Sequence, residues 1–393
     1  MVSVFNFLSY NYQMKYSETL IVGGGMAGLG VARTFAENGY DDFRLITDSL
    51  GGKVVTSDDG KTNYGAFYVR SDYEYLLPLV TKKQRLRVRD TFFVNGDNQF
   101  RIFSLSNIFH LFSAVRGVLL LLKFSRRYRE LRRRCEVLPP KEALAQDSWA
   151  YSLHNQSASD FIRQHGLEFW ADRFFNPIVR ATAFLDISEV NASAMLTSLL
   201  PIVVPSWKFT LDFHEVMSPL SGNVVTGVTV VAIKKEGDQW TCVDAHGGVY
   251  RCRNLVLALP ITTTRELLNL DEPVNMPVRA NVVHVRGELK KEFQGSSFVF
   301  FSADSPDLWI TKEDSGTYLF YTTQVNGYDL SQYFSDYEII EKCYWDPAFF
   351  LGPYITDIDR GDNLYVVGGH NFASMEDAYI SGVYAARKIV RSN

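Results

Sequence analysis

A chain of 393 residues with 46% hydrophobic side chains can bury large cores, and its length suits two or three domains. A net charge of −4 gives no footing for nucleic-acid binding. Four cysteines, Cys135, Cys242, Cys252 and Cys343, stand without C-x-x-C spacing, which argues against a zinc site or a redox-active disulfide and fits a reducing compartment.

The opening residues, 1–16, lack the basic start, sustained apolar core and small-residue cleavage site of a signal peptide, and Met14 offers a second start. A β-branched run at 20–22 then feeds Gly23, Gly25 and Gly28 at the spacing G-x-G-x-x-G. Gly23 makes the tight turn, Gly25 lets the backbone approach a pyrophosphate, and Gly28 lets the following helix pack on the strand. That helix, predicted over 26–38, turns its first residues, Met26 and Ala27, toward phosphates that its free N–H groups and dipole attract. Gly39 stops it. A second strand, 43–47, ends in Asp48, about 20 residues beyond Gly28, where an acid accepts hydrogen bonds from ribose hydroxyls and disfavours a 2′-phosphate. The whole unit reads as a site for the ADP half of a dinucleotide.

Directly after it come Gly51, Gly52 and Lys53, then Asn63, Gly65 and Ala66. This stretch resembles the G-G-R segment and the D-x-G-A turn of the flavin amine oxidase superfamily, which includes monoamine oxidases, protoporphyrinogen oxidases and phytoene desaturases. Two positions depart from that pattern. Lys53 replaces an arginine, keeping the charge but losing the planar fork, and Asn63 replaces an aspartate. The resemblance implies FAD, held non-covalently, because no cysteine or histidine aligns with the family's covalent attachment positions.

Residues 85–215 carry mostly helical patterns. Within them, 106–134 is an apolar segment that ends in an arginine cluster from Arg126 to Arg134, and no stretch reaches the roughly 18 consecutive apolar residues that span a bilayer. The pattern fits a helix with one buried face and one solvated basic face, or a helix that dips into a membrane interface while its arginines meet anionic headgroups. Residues 169–200 resemble the family segment in which a Pro-containing helix turns into a loop near the substrate pocket. They are also similar to the matching region of a bacterial polyunsaturated fatty acid isomerase. Arg180 and His214, in and after this segment, are candidates to meet a carboxylate or developing negative charge.

Residues 223–260 read as consecutive strands with a turn at 236–238. They resemble the family's middle piece of FAD domain, which puts the backbone of Val230 on the adenine. Cys242 and Cys252 lie on neighbouring predicted strands, where packing is the expected role. Strand patterns return over 276–345. In one of them Tyr318 and Phe320 share a face and Tyr321 takes the other. Tyr318, Phe320, Tyr321 and Trp345 are candidates for a pocket wall. The lysine that holds water near flavin N5 in the family's amine oxidases has no convincing counterpart, Lys312 standing only near a turn.

Residues 363–390 resemble the family's last strand and the helix that meets the flavin. Gly368 and Gly369 stand where the family has glycine and glutamate, and their lack of bulk lets the chain pass the ribityl and pyrophosphate. His370, next in line, can hydrogen-bond the ring or shuttle a proton near neutral pH. The helix opening at Met375, Glu376 and Asp377 would aim N–H groups at the flavin N1 and C2 carbonyl.

The expected architecture is α/β: a discontinuous Rossmann-type FAD domain of 17–84, 216–275 and 346–393, interleaved with a mixed sheet-plus-helices substrate domain of 85–215 and 276–345. The implied activity is removal of hydride from a C–H centre, less readily C–N, of a hydrophobic small molecule, with His370, Tyr321 and Arg180 as catalytic candidates. A single G-x-G-x-x-G leaves no second domain for NADPH, so electrons go to oxygen, a quinone or another diffusible acceptor. The alternatives are a redox-neutral double-bond isomerase acting on a fatty-acid-like substrate and a non-catalytic flavin-binding protein of a membrane surface. The expected location is cytoplasmic, with peripheral membrane contact through 106–134.

Overall fold

The computed structural model describes residues 15–96, 98–102, 104–313 and 316–392, so most of the opening segment and Met14 lie outside the described residues. Strand β1 (Lys15–Gly24) leads into helix α1 (Met26–Glu37) and strand β2 (Phe43–Leu50). β1 is the middle of a seven-stranded sheet, parallel to β2 on one side and to β3 (Val249–Leu257) on the other. Having neighbours on both edges explains why Leu20, Ile21 and Val22 are all apolar and all buried. It also extends the strand to Lys15, beyond the short apolar run, because the polar residues pair with β3. β3 forks: its first half pairs with Gln239–Asp244, which continues to Val230–Glu236, and its second half with Leu364–Val366.

Beneath this sheet, α1 lies against the C-terminal helix Met375–Ser392. The two backbones touch at glycines. A Cβ on Gly30 would fall 2.3 Å from the Tyr379 carbonyl oxygen, and one on Gly382 would fall 2.2 Å from that of Ala27. Segments from the start, middle and end of the chain thus share one core.

The second domain has its own seven-stranded sheet, in the order Phe334–Leu351, Met276–Leu289, Tyr318–Thr322, Asp307–Lys312, Phe298–Phe301, Thr91–Asn95 and Asn98–Phe100. Helices from 111–199 pack beside it around Leu121, Phe124, Leu153, Phe174 and Leu196. The region read as mostly helical therefore also donates strands. Thr91–Asn95 runs parallel to Phe298–Phe301, and Ser206–Thr210 bridges Val69–Arg70 and Thr81–Arg85 in a small third sheet. Five-residue segments are too short for periodicity to separate strand from helix. The long strand Phe334–Leu351 carries the second domain's sheet past residue 345.

Helix α2 (Leu111–Cys135) belongs to this helical layer. Its inner stripe is Leu121, Phe124, Tyr128, Leu131 and Cys135, at the three- and four-residue spacing of one helix face. The arginine cluster is not a uniformly solvated face. Arg132 is buried and bonds Asp377 at 2.8 Å and Asp72 at 3.4 Å; Arg127 and Arg134 share Asp147, and Arg133 pairs with Glu74. Among the described residues, Asn107–Cys135 is long and apolar enough to cross a membrane, yet these ion pairs hold its second half along the domain. Cys242 and Cys252 sit on adjacent strands, each opposite a different residue, and both are free and fully buried, which suits packing.

Candidate functional site

A cavity of about 760 Å³ opens between the two domains. Its floor is the turn from Gly23 to Ala27. Gly23 has φ +113°, and a Cβ there would stand 2.5 Å from the Ala258 carbonyl oxygen. Gly25 caps α1 without a side chain, and a Cβ on it would meet only the Gly52 Cα, at 3.7 Å. The helix N-terminus therefore faces open space. Gly28 serves packing instead, since it is not in the wall and its Cβ would fall 2.0 Å from the Gly23 carbonyl oxygen. Met26 and Ala27 line the cavity, as does Asp48 near the end of β2, where the Thr229 hydroxyl donates to its carboxylate at 3.3 Å. Val230 stands beside Thr229 in the same wall. Helix N–H groups, a bulk-free approach and an acid at ribose distance in sequence fit an ADP moiety.

Gly51, Gly52, Lys53, Gly65 and Ala66 extend that wall. Lys53 opens onto the cavity with its Nζ 5.7 Å from the Phe350 ring, and the surrounding protein lowers its ammonium to about 8 by desolvation. Asn63 lies outside the wall. Its amide donates to the Phe209 carbonyl at 2.7 Å, tying this segment to Ser206–Thr210. An ionised aspartate could not donate that bond, which gives the departure from the family pattern a local reason.

At the far end of the chain Gly368, Gly369, His370 and Met375 join the same wall. His370 is 6% exposed, and its Nε2 has no partner. Burial, aided by Arg360, lowers the imidazole to about 4, so it is neutral at pH 7. Hydrogen bonding is open to it, whereas the proton shuttling near neutrality expected of a solvated histidine is not. Glu376 is not in the cavity wall. Its buried carboxylate accepts from the backbone N–H groups of Glu74, Tyr75 and Leu76 at 2.6, 2.9 and 3.1 Å, and desolvation raises it to about 6. Asp377 pairs with Arg132, and the Ser374 hydroxyl accepts from the Asp377 amide. Two carboxyl side chains in the first turn offset the positive end of the helix, which weakens the tuning device expected of its N–H groups.

The other lobe of the cavity is aromatic. Trp309 and Tyr321 stack with centroids 4.7 Å apart, and Phe67 meets Trp309 edge-on at 4.5 Å. Phe184, 6.1 Å from Tyr321, joins Trp345 and Phe349 in the same wall. The Tyr321 hydroxyl and the Trp309 Nε1 are buried without partners, and burial pushes the phenol far above its ordinary pKa. Tyr318 and Phe320 turn the other way, toward Phe334 and Tyr333, as strand alternation requires. Arg180 is not in the wall. Its guanidinium holds the Ser302 and Ser305 carbonyls and lies 3.2 Å from Asp186, so it tethers the helix Asn176–Ala183 to the sheet. His214 is exposed on the short helix Phe213–Met217, off the cavity. Phe67, Phe184 and Trp309 were missed in the sequence; the short apolar run L-W-I between polar residues is the signal that marks Trp309's strand.

No family model matches the sequence, and no curated protein matches it. Solved structures do. Putrescine oxidase bound to putrescine superposes with a TM-score of 0.68 at 13% identity, covering 96% of this chain and 100% of that one. A fatty acid isomerase from P. acnes that produces CLA gives 0.65 at 14%, over 95% and 98%. Reduced UDP-galactopyranose mutase gives 0.59 at 15%, over 96% of each. The mixed α/β architecture of this chain, with its glycine cradle on a parallel sheet and a second sheet closing the cavity, is the fold that these solved structures share.

Proposed function

We propose that the protein is a FAD-dependent oxidoreductase that removes hydride from a C–H centre, less readily C–N, of a hydrophobic small molecule. One observation carries this reading: a single cavity joins a backbone cradle suited to ADP to an aromatic lobe of the second domain. A bound flavin supplies the hydride acceptor. The chain's own part is to hold it, without a covalent bond, through Gly23, Gly25, Asp48, Lys53, Val230, Gly368 and Met375, and to orient an apolar substrate in a lobe that excludes water. Asp48, Lys53, Arg70, His154 and His370 are the acidic and basic side chains of the wall, and the aromatic cluster around Trp309 contains none of them. A substrate recognised there is held by shape and apolar contact.

The second reading is redox-neutral double-bond isomerisation of a fatty-acid-like chain. Lys53 favours it, because its ammonium opens onto the cavity beside the Phe350 ring and offers a partner for a carboxylate. The first test is the visible spectrum of the purified protein, then anaerobic incubation with lipid, carotenoid and amine panels. Bleaching with one class and stoichiometric use of oxygen or a quinone supports the oxidoreductase. Turnover without acceptor consumption supports the isomerase. A colourless protein that takes up no FAD overturns both.

A further inference from the structure

Helix α2 presents two apolar stripes, and only one has a partner. The inner stripe packs in the domain core. The outer one begins before the helix at Ile108 and Phe109 and continues through Phe112, Val115, Leu119 and Leu122, all exposed. Phe109 and Phe112 are 89% and 90% exposed. The spacing of 108, 112, 115, 119 and 122 is that of one helical face, so these side chains form a continuous ridge and not scattered surface residues. A contiguous exposed apolar surface of this kind marks an interaction site.

Charge identifies the occupant. From Asn98 to Arg129 the sequence holds no aspartate or glutamate but six basic residues, Arg101, Arg116, Lys123, Arg126, Arg127 and Arg129. Arg127 is engaged with Asp147, and Lys123 lies over the Trp149 ring at 4.2 Å. Arg101, Arg116, Arg126 and Arg129 are also exposed; Arg101 lies over the Phe92 ring at 4.3 Å and Arg116 donates to the His165 carbonyl at 2.8 Å, while Arg126 and Arg129 continue the spacing of the ridge. Two copies meeting through this face would oppose like charges. An anionic bilayer surface is complementary on both counts, taking the apolar ridge below its headgroups and the cations among them. A span is not compatible with the same helix, because Arg132 is locked to Asp377 and Asp72 inside the protein.

We propose that the outer face of Ile108–Leu122 docks the protein onto anionic phospholipid bilayers, lying in the interface plane. The ion-paired arginines of the cluster, Arg127 and Arg132 to Arg134, are not the membrane contacts; those are the ridge and the exposed Arg126 and Arg129 that continue it. The inner face of the same helix places Tyr128 in the cavity wall, so the docked surface and the site share one element.

The test is sedimentation of the full-length protein with vesicles of phosphatidylcholine, with and without phosphatidylglycerol. The expected result is binding to the phosphatidylglycerol vesicles that weakens as salt is raised. Phe109→Ser/Phe112→Ser should lose roughly tenfold or more of that binding, and Arg126→Glu/Arg129→Glu should lose it in a salt-dependent way, each variant keeping the wild-type melting temperature. No binding to either vesicle overturns the proposal, as does equal binding by the phenylalanine variant. A concentration-dependent dimer abolished by Phe109→Ser/Phe112→Ser also overturns it, giving the ridge to a second copy. Because the readout is lipid binding, failure here leaves the flavin reading standing, and the reverse also holds.

Discussion

The glycine cradle and the aromatic lobe share one cavity but are built in opposite ways. The cradle is backbone: Gly23, Gly25 and the first turn of α1 act through N–H groups and missing side chains, and they lie within a few residues of one another. The lobe is side chains: Phe67, Phe184, Trp309, Tyr321 and Trp345 come from five separate segments, four of them in the second domain, and meet only through its sheet and the Phe67 segment that packs on it. What the contrast teaches is that the glycine turn depends on local conformation, whereas the aromatic lobe depends on long-range packing.

The sharpest way to break the comparison is to ask whether all the glycines of the motif serve the ligand. Gly28→Ala puts a Cβ 2.0 Å from a carbonyl oxygen, and it should cost about 3 kcal/mol or more in denaturant unfolding, whether or not cofactor is present. If this variant is as stable as the parent, the packing role of Gly28 is wrong.

Acid titration tests whether the buried wall behaves as a dry interior. His370 is held neutral with a pKa near 4, against an ordinary value of 6.5. Protonation then favours the unfolded chain, so its contribution is complete above pH 6.5 and is lost as pH falls toward 4, by up to about 3 kcal/mol. Glu376, raised from 4.5 to about 6, contributes the opposite slope, losing stability as pH rises through that window. Unfolding free energies measured across this range should show a flatter acid limb in His370→Gln than in wild type; parallel limbs would argue that the imidazole is solvated.

Gly25→Val probes the cradle without the clash. Its site is open, so stability should change by about 1 kcal/mol, the cost of a poor cap, while the amount of flavin co-purifying falls tenfold or more. A variant that keeps full flavin would separate the glycine motif from cofactor binding. The smallest effect belongs to the lobe. Tyr321→Phe removes a buried hydroxyl that has no partner, so melting should shift by less than about 1 kcal/mol, and any change in turnover would then report on substrate and not on folding.

The legibility of these regions follows their construction. The strand, turn, helix and acid from 19 to 48 were readable because each step is local: a β-branched run, glycines at fixed offsets and a helix start. The segments at 51–66, 223–260 and 363–390 were readable by resemblance, and residues Gly52, Lys53, Val230, Gly368 and Met375 do converge on one cavity. Arg180 and Glu376 do not reach it, because their charges are satisfied by backbone groups of distant segments, Ser302 and Ser305 for one and Glu74 to Leu76 for the other. Nothing in the local sequence signals such a partner.

The amino-acid sequence by itself determined the strand, glycine turn and helix of the first unit, since its information is carried by backbone conformation over some thirty consecutive residues. The tertiary structure decided which glycine faces the ligand and which faces a carbonyl, which arginines of α2 are buried in ion pairs, and which of its two apolar stripes finds a core. Each of those outcomes depends on groups far away in the chain, and burial, unlike helical periodicity, is a property of the whole fold.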